Sequence, residues 1–236
     1  MQYNYNVLYK KFQVINLNIL IYGSSGKLGS AIYNTGVKEG CCVLAGNSRS
    51  YEPIPANIDV AIEATTAIAI PNLAKAAYDA KKPLVICSSG LDESILQTLH
   101  DFSKEIPLFI SSNMSIGVNI VKNIVEKAAK ELIKFNFDIE IIEKHHNQKI
   151  DAPSGTAITL KKAIEPHINK PLPIHSIRAG SIFGEHSVIF AGSGEIIEIS
   201  HTALNREIFS IGAIKAAKFI KNKPPGIYGM DSLLNT

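Results

Sequence analysis

The sequence has few cysteines and no uninterrupted apolar run long enough to cross a membrane. Its three cysteines, Cys41, Cys42 and Cys87, lack the spacing of a metal site, and the adjacent pair is poorly placed for an ordinary disulfide. We therefore expect buried, reduced thiols and no bound metal. The first sixteen residues contain no apolar core long enough for a signal peptide and no small-residue cleavage site, so we expect a cytoplasmic protein without a membrane partner.

The chain also lacks a large excess of positive or negative charge. The chain of 236 residues carries 24 lysines and arginines against 21 acidic residues, a net charge of +3, and the lysines are scattered instead of forming a patch with aromatic residues. This distribution gives no support for nucleic-acid binding. A hydrophobic content of 46% with 19% charged residues is typical of a soluble globular chain with a sizeable core.

The first half of the chain alternates strand-like apolar runs with helical segments and short loops. This alternation predicts an α/β fold, a Rossmann-like doubly wound parallel sheet. The expected strands cover residues 15–22, 41–46, 58–63, 84–87 and 108–111, and the expected helices cover residues 27–39, 68–81 and 93–104.

A glycine-rich turn, GSSGKLG at residues 23–29, follows the first expected strand directly and leads into the first helix. Gly23 allows a tight turn, Gly26 allows close approach of a ligand, and Gly29 allows the helix to pack on the strand. The spacing alone also fits a plain tight turn, but its position favours a dinucleotide whose pyrophosphate lies at the helix start, near Lys27 and Leu28.

Further cofactor contacts are expected at the carboxyl ends of the parallel strands. These positions hold Thr65 after the third strand and Ser88, Ser89 and Gly90 after the fourth. After the second strand the chain has Arg49 and no acidic residue; an arginine there can pair with a 2′-phosphate, so we expect NADPH or NADH with a preference for NADPH. The alternative is an ordinary surface arginine.

The second half has a different pattern. A long helix is expected at residues 116–134, with Ile120, Ile124, Ala128 and Leu132 on one stripe. Strand-like runs at residues 137–144, 173–183, 186–191 and 195–202 predict a second α+β domain with an open mixed sheet of about four strands. Helices are expected at residues 157–168 and 207–221.

Titratable and anion-binding groups are densest at residues 143–157, which read EKHHNQKIDAPSGTA. Two imidazoles and Lys149 precede a turn into a helix start, where free N–H groups and the helix dipole favour an anion. Asp151, Pro153 and Ser154 taken singly could be no more than helix-start residues. Taken together, the residues suit a small carboxylate or phosphate.

This segment closely resembles the signature of the dihydrodipicolinate reductase family, Glu-x-His-His-x-x-Lys-x-Asp-Ala-Pro-Ser-Gly-Thr-Ala, and fills every fixed position of it. The resemblance implies NAD(P)H-dependent reduction of a dicarboxylic cyclic imine on the lysine and diaminopimelate route, by a homotetramer. The sequence departs from the family at residues 87–90, Cys-Ser-Ser-Gly where Gly-Thr-Thr-Gly is usual, and in a short link after the second strand.

By the same resemblance, His145 and Lys149 are the expected catalytic residues. The residues expected to bind the dicarboxylate substrate are His146, Ser154, Gly155 and Thr156. The segment Ser112, Asn113 and Met114 is expected in the cofactor cleft. Residues 1–116 with 207–236 are expected to form the dinucleotide-binding domain, and residues 117–206 the substrate-binding and oligomerisation domain.

Two alternatives stay open at this point: another two-domain NAD(P)-dependent oxidoreductase, and a non-catalytic NADP-binding sensor. The paired histidines beside the Asp-Ala-Pro-Ser-Gly-Thr turn are not explained by the substrates of the first. For a non-catalytic sensor we expect a second-domain site that has lost its signature residues. In this sequence the signature segment, residues 143–157, is complete.

The arginine after the second strand generates a kinetic prediction. Arg49→Ala should raise the KM for NADPH roughly tenfold and leave the KM for NADH nearly unchanged, because only NADPH carries the 2′-phosphate. Steady-state kinetics with both cofactors measure this. An unchanged KM for NADPH in the variant would remove Arg49 from the cofactor site.

Overall fold

The computed structural model describes residues 17–46 and 52–236, which form two β-sheets with helices packed on them. The strands are β1 (Asn18–Tyr22), β2 (Cys42–Gly46), β3 (Val60–Glu63), β4 (Leu84–Ile86), β5 (Pro107–Ile110), β6 (Asp138–His145), β7 (Ile174–Arg178), β8 (Gly184–Ala191), β9 (Ile196–Ala203) and β10 (Gly226–Tyr228). The helices are α1 (Lys27–Lys38), α2 (Ile70–Asp79), α3 (Glu93–Phe102), α4 (Ile116–Leu132), α5 (Gly155–Ile164), α6 (Glu207–Ile220) and α7 (Met230–Leu234).

The first sheet has six parallel strands in the order β10-β5-β4-β3-β1-β2. Its central strands β3 and β4 are fully buried and, apart from Glu63 at the end of β3, apolar, because helices cover both faces. One core cluster joins the sheet to α6 and includes Ile32 of α1, and a second joins it to α2 and α3. The expected doubly wound fold is therefore confirmed.

The second sheet has four strands in the order β7-β6-β8-β9. β6 pairs with β7 in parallel and with β8 antiparallel, which makes the sheet mixed, as expected. Side chains of β6 alternate strictly between buried and exposed or half-buried, and the buried face packs against α4 and α5. Glu143 and His145, two titratable residues of the signature segment, lie on that buried face.

Several details differ from the sequence expectations. Cys42 is exposed, not buried, because β2 is an edge strand with only one neighbour. On α4 the buried stripe is Val118, Val125 and Ala129, whereas Ile120 and Ile124 are exposed. The short β10, which adds to the sheet beside β5, was not expected.

None of the helices in residues 17–46 and 52–236 combines the length and apolar character needed to span a bilayer.

Close backbone packing at α6 generates a stability prediction. A Cβ at Gly212 would lie 1.7 Å from the carbonyl oxygen of Met114, a backbone atom that cannot turn aside. Gly212→Ala should therefore lower the free energy of unfolding by about 2 kcal/mol or more, although alanine is normally the better helix former.

Gly36→Ala in α1 is the matched control, because its Cβ would meet side-chain atoms and no backbone atom: Val43 at 2.9 Å, Ile214 at 3.3 Å and Cys41 at 4.0 Å. Urea unfolding of the two variants measures the difference. Equal stability of both variants would contradict close packing of α6 on the Met114 backbone.

Candidate active site

The turn between β1 and α1 places glycine residues, which have no side chain, at the start of α1. Gly23 has φ +84°, and a Cβ there would lie 2.4 Å from the carbonyl oxygen of Ala64; a Cβ at Gly29 would lie 2.0 Å from the carbonyl oxygen of Gly23. Gly26 is the N-cap of α1 and is exposed, and no side chain caps this helix start with a hydrogen bond. These residues fit the phosphates of a dinucleotide.

A cavity of about 380 Å³ lies at the carboxyl ends of β3 and β4. Its lining includes Leu28, Thr65, Ser88 and Ser89, four of the predicted cofactor contacts. The fully buried Glu63 connects the two loops: its carboxylate accepts hydrogen bonds from the Thr65 hydroxyl and the Ser88 hydroxyl, both at 2.7 Å. Because both hydroxyl protons go to Glu63, the lone pairs of these hydroxyls remain for a ligand that donates, such as a ribose.

A neighbouring cavity of about 440 Å³ shares Ser88 and Ser89 with the first. It is lined further by Gly90, by Ser112 and by residues 229–231 of the C-terminal segment. The C-terminal residues were not expected at the site, because nothing in their sequence predicts that β10 adds to the sheet beside β5.

The third cavity, of about 370 Å³, lies between the two sheets' ends and joins residues from both halves of the chain. Its lining is Ser89, Ser112, Asn113, His145, Lys149, Ser154, Gly155, Thr156, Thr159 and Phe209. The amide of Asn113 donates a hydrogen bond to the hydroxyl of Thr156 at 3.1 Å, across this cavity's wall. The predicted cofactor segment and the predicted substrate segment therefore meet.

The start of α5 forms one wall of this cavity. Ser154 caps the helix, since its hydroxyl oxygen accepts from the Ala157 N–H at 3.2 Å, and the position of Gly155 is open enough to hold a Cβ without contact. The N–H groups of Gly155 and Thr156 belong to the helix start and have no partner inside the helix. Lys149, held by Asp151 at 2.8 Å, adds a positive charge to the same wall.

Behind this wall lies Glu143, which is fully buried. Its carboxylate accepts two hydrogen bonds from Arg178, at 2.7 and 2.8 Å, and one from the Ser154 N–H at 3.2 Å. The Nδ1 atom of His145 lies 2.5 Å from Oε2, the oxygen that also accepts from Arg178 Nη1. One carboxylate thus contacts β7, the α5 start and the predicted acid.

The charges of this group are set by burial and by these contacts. Burial alone would raise the pKa of Glu143, but hydrogen bonds from Arg178, Ser176 and His145 outweigh it and lower that pKa to about 2. Burial also lowers the pKa of His145; Glu143 opposes this and Lys149 adds to it. Glu143 is therefore ionised at neutral pH, and His145 is mostly neutral in the ligand-free protein.

A second buried imidazole, His186 of β8, lies behind His145. The two rings are 5.1 Å apart in an edge-to-face arrangement, and His186 Nε2 is 2.9 Å from the Ser154 hydroxyl oxygen. That hydroxyl also accepts from the Ala157 N–H, and the tautomer of His186 decides which of the two groups donates in the Ser154–His186 contact. Burial first, and then the charge of His145, lowers the pKa of His186 to about 4.

Some predicted site residues lie elsewhere. His146 does not line the third cavity; it is half-buried and follows directly after the last residue of β6. Met114 is buried in the core beneath α6. Lys27 is exposed at the start of α1. Arg49 lies outside the described residues.

Sequence reasoning missed Glu63, Arg178, His186 and Phe209. Glu143 lies within the signature segment, and its spacing of two from His145 on a strand is the signal that places both side chains on one face. Arg178 could not be found this way, because the parallel pairing of β6 with β7 depends on the tertiary fold.

A glycine turn on a parallel sheet, facing a cationic cavity in a second domain, defines a two-domain pyridine-nucleotide-dependent oxidoreductase. No group of three or more histidine, cysteine or acidic side chains suited to a metal ion occurs within the described ranges.

Family models for dihydrodipicolinate reductase match residues 17–114 (N-terminus) and 117–234 (C-terminus). The chain belongs to the dihydrodipicolinate reductase family.

Individual relatives agree with this assignment. The 4-hydroxy-tetrahydrodipicolinate reductase of Clostridium tetani is 40% identical, covering 93% of this chain and 98% of the relative. That of Caldanaerobacter subterraneus is 41% identical, covering 92% and 98%. The solved structure of dipicolinate-bound dihydrodipicolinate reductase from Paenisporosarcina sp. TG-14 matches with a TM-score of 0.76 at 22% identity, covering 91% and 98%, and shows the shared fold.

The buried His186 generates a prediction about acid stability. The pKa of His186 is about 4 in the folded protein and about 6.5 in the unfolded chain. Between these two pH values the unfolded chain therefore binds a proton that the folded protein does not bind. As the pH falls from 6.5 to 4, His186 should lower the free energy of unfolding by up to about 3 kcal/mol.

Urea unfolding between pH 7 and pH 4 measures this. His186→Gln should lose less stability over that interval than the wild type, whereas His100→Gln, at an exposed position of α3, should follow the wild type. A His186→Gln variant with the wild-type pH dependence would contradict the neutral, buried imidazole.

Proposed function

We propose that the chain is a 4-hydroxy-tetrahydrodipicolinate reductase, which reduces its substrate to tetrahydrodipicolinate with NADPH or NADH in lysine and diaminopimelate biosynthesis. The observation that carries this proposal is the third cavity, where a helix start, Lys149 and His145 face Ser89, Ser112 and Asn113. Its size and positive charge suit a small dicarboxylate, and its other side suits a nicotinamide.

The substrate's carboxylates are bound, in this proposal, by Ser154, by the N–H groups of Gly155 and Thr156, and by His146 from the loop. Lys149 balances the carboxylate charge and the negative charge that develops on the ring during the reaction. Of these residues, Ser154, Gly155 and Thr156 line the third cavity before substrate arrives, whereas His146 does not, so positioning at the helix start contributes much of the rate.

His145 is the proposed acid. Loss of water from the 4-hydroxyl position of the substrate leaves an unsaturated ring. A reduced nicotinamide cofactor held by the glycine turn and the adjoining loops would supply a hydride to this ring, and His145 would donate the one proton that the resulting enamine takes up. His145 has a lowered pKa in the ligand-free protein, and a bound dianion would raise it by favouring the imidazolium form. Substrate binding thus prepares the proton donor that the second step needs.

The proposed cofactor residues are those of the glycine turn and of the loops that border the first two cavities. They are Gly23, Gly26, Lys27, Leu28, Gly29, Arg49, Thr65, Ser88, Ser89, Gly90, Ser112, Asn113 and Met114. The preference for NADPH depends on Arg49 alone.

Residues 1–116 and 207–236 are the proposed dinucleotide-binding domain, and residues 117–206 the substrate-binding and oligomerisation domain. We also propose a homotetramer in the cytoplasm. The outer face of the second sheet carries Ile177 and Ile196, which are 44% and 71% exposed, and burial of this face between copies would remove apolar surface from water. Free Cys41, Cys42 and Cys87 suit a reducing compartment.

The function is tested by supplying 4-hydroxy-tetrahydrodipicolinate, the proposed substrate, and following the loss of NADPH absorbance. Pyridine-2,6-dicarboxylate, a flat dicarboxylate, should inhibit competitively with substrate. No oxidation of either NADPH or NADH with this substrate would end the proposal, and noncompetitive inhibition would remove the dicarboxylate from the third cavity.

The proposed catalytic residues generate a mutational prediction. His145→Gln and Lys149→Ala should each lower kcat by about 100-fold or more, because each removes a group that acts on the reacting ring, while the Kd for NADPH stays within about twofold. Lys162→Ala, an exposed lysine of α5, is the control and should keep the wild-type kcat. Near-normal kcat in both site variants would contradict the assignment.

A further inference from the structure

Glu143 carries no role in the proposed reaction, yet it is the most heavily hydrogen-bonded carboxylate near the cavity. It is fully buried, and its two oxygens receive the Arg178 fork, the Ser154 N–H and the His145 ring. An ionised carboxylate only accepts hydrogen bonds, so the Nδ1 atom of His145 must be the donor in that contact. The proton of the neutral ring is then on Nδ1, and Nε2 is left without it.

We propose that Glu143 is a positioning residue: it holds His145 in the Nδ1–H form with Nε2 free to carry the transferred proton, and it ties that ring to the α5 start. This proposal rests on the proposed function only for its kinetic consequence. The hydrogen-bonding arrangement itself is independent of the substrate.

Arg178 extends this arrangement to the loop before α5. One of its terminal nitrogens donates both to Glu143 and to the carbonyl oxygen of Asp151, each at 2.7 Å. Residue 178 is paired with His145 across the parallel strands β6 and β7, so the guanidinium is next to the ring it helps to align. The proton donor and the anion-binding helix start are therefore held to a single carboxylate.

Other charged groups around His145 act in the opposite direction from Glu143. Lys149 from the loop and Arg178 from β7 disfavour the imidazolium form, and His186 from β8 is a neutral ring edge-on to it. Glu143 is the anion that opposes them. Without its charge, the imidazolium should form only at lower pH.

Glu143→Gln removes the charge and keeps the shape. If the amide oxygen stays with Arg178 Nη2 and Ser154, the amide N–H₂ takes the place of Oε2. It then loses the hydrogen bond from Arg178 Nη1 and donates to His145 Nδ1, which moves the ring proton to Nε2. The variant should have a kcat about 100-fold lower at pH 7, and the midpoint of the alkaline fall in kcat should move about one pH unit lower. The KM for NADPH should not change.

The matched control is Glu140→Gln. Glu140 lies on the same strand and also pairs with a histidine, His175 at 2.8 Å, but on the exposed face. This control should keep the wild-type kcat and pH midpoint. A purely structural loss in Glu143→Gln would lower kcat equally at every pH and leave the midpoint in place, which would overturn the proposal.

Two-bond ¹H–¹⁵N correlation spectra of the wild-type histidine rings, assigned with His145→Gln, test the arrangement without any turnover. The Nδ1–H form of His145 supports the proposal, and the Nε2–H form overturns it even if Glu143→Gln does not fold. Should the wild type fail to oxidise either NADPH or NADH with the proposed substrate, the reductase function fails, while these spectra still decide the role of Glu143.

Discussion

An ionised carboxylate can be buried only where donors surround it, and Glu143 meets this requirement with groups from three separate parts of the chain. Removing one partner from a buried ion pair typically costs roughly 3 to 5 kcal/mol. Strand β7, the start of α5 and the His145 ring are therefore held in one arrangement. The third cavity has its shape because these elements cannot shift independently.

A second buried carboxylate orders the loops that line the first cavity. Glu63, also fully buried, binds the loops after β3 and β4 through the hydroxyls of Thr65 and Ser88. The two halves then meet where Asn113 contacts Thr156. Asn113 also accepts from the Ser115 N–H, beside the cap of α4, so the link between the two halves is itself ordered by hydrogen bonds. This arrangement suits a hydride transfer, which needs two ligands held at close range.

Much of this structure could be predicted from the sequence, because local signals specify it. The glycine turn, the α4 cap at Ser115 and the alternating burial of β6 follow from rules that act over a few residues. The convergence of His145, Lys149 and residues 154–156 on one cavity follows from their proximity along the chain.

The remainder depends on contacts between distant residues. Arg178 reaches Glu143 only because β6 and β7 pair in parallel, and Phe209 reaches the cavity only because α6 returns from the second sheet to the first. The stripe expected on α4 was wrong for Ile120 and Ile124, since both helix faces carry isoleucine or valine and periodicity cannot tell which face the sheet covers. Tertiary packing decides such cases.

The central claim is that a dicarboxylic ring and a nicotinamide lie face to face in the third cavity. A crystal structure of the protein with NADPH and pyridine-2,6-dicarboxylate tests it most directly. The account predicts one carboxylate at the N–H groups of Gly155 and Thr156, the ring beside His145, and the nicotinamide C4 within about 4 Å of the ring. A dicarboxylate bound away from α5, or a nicotinamide turned away from it, would contradict the account.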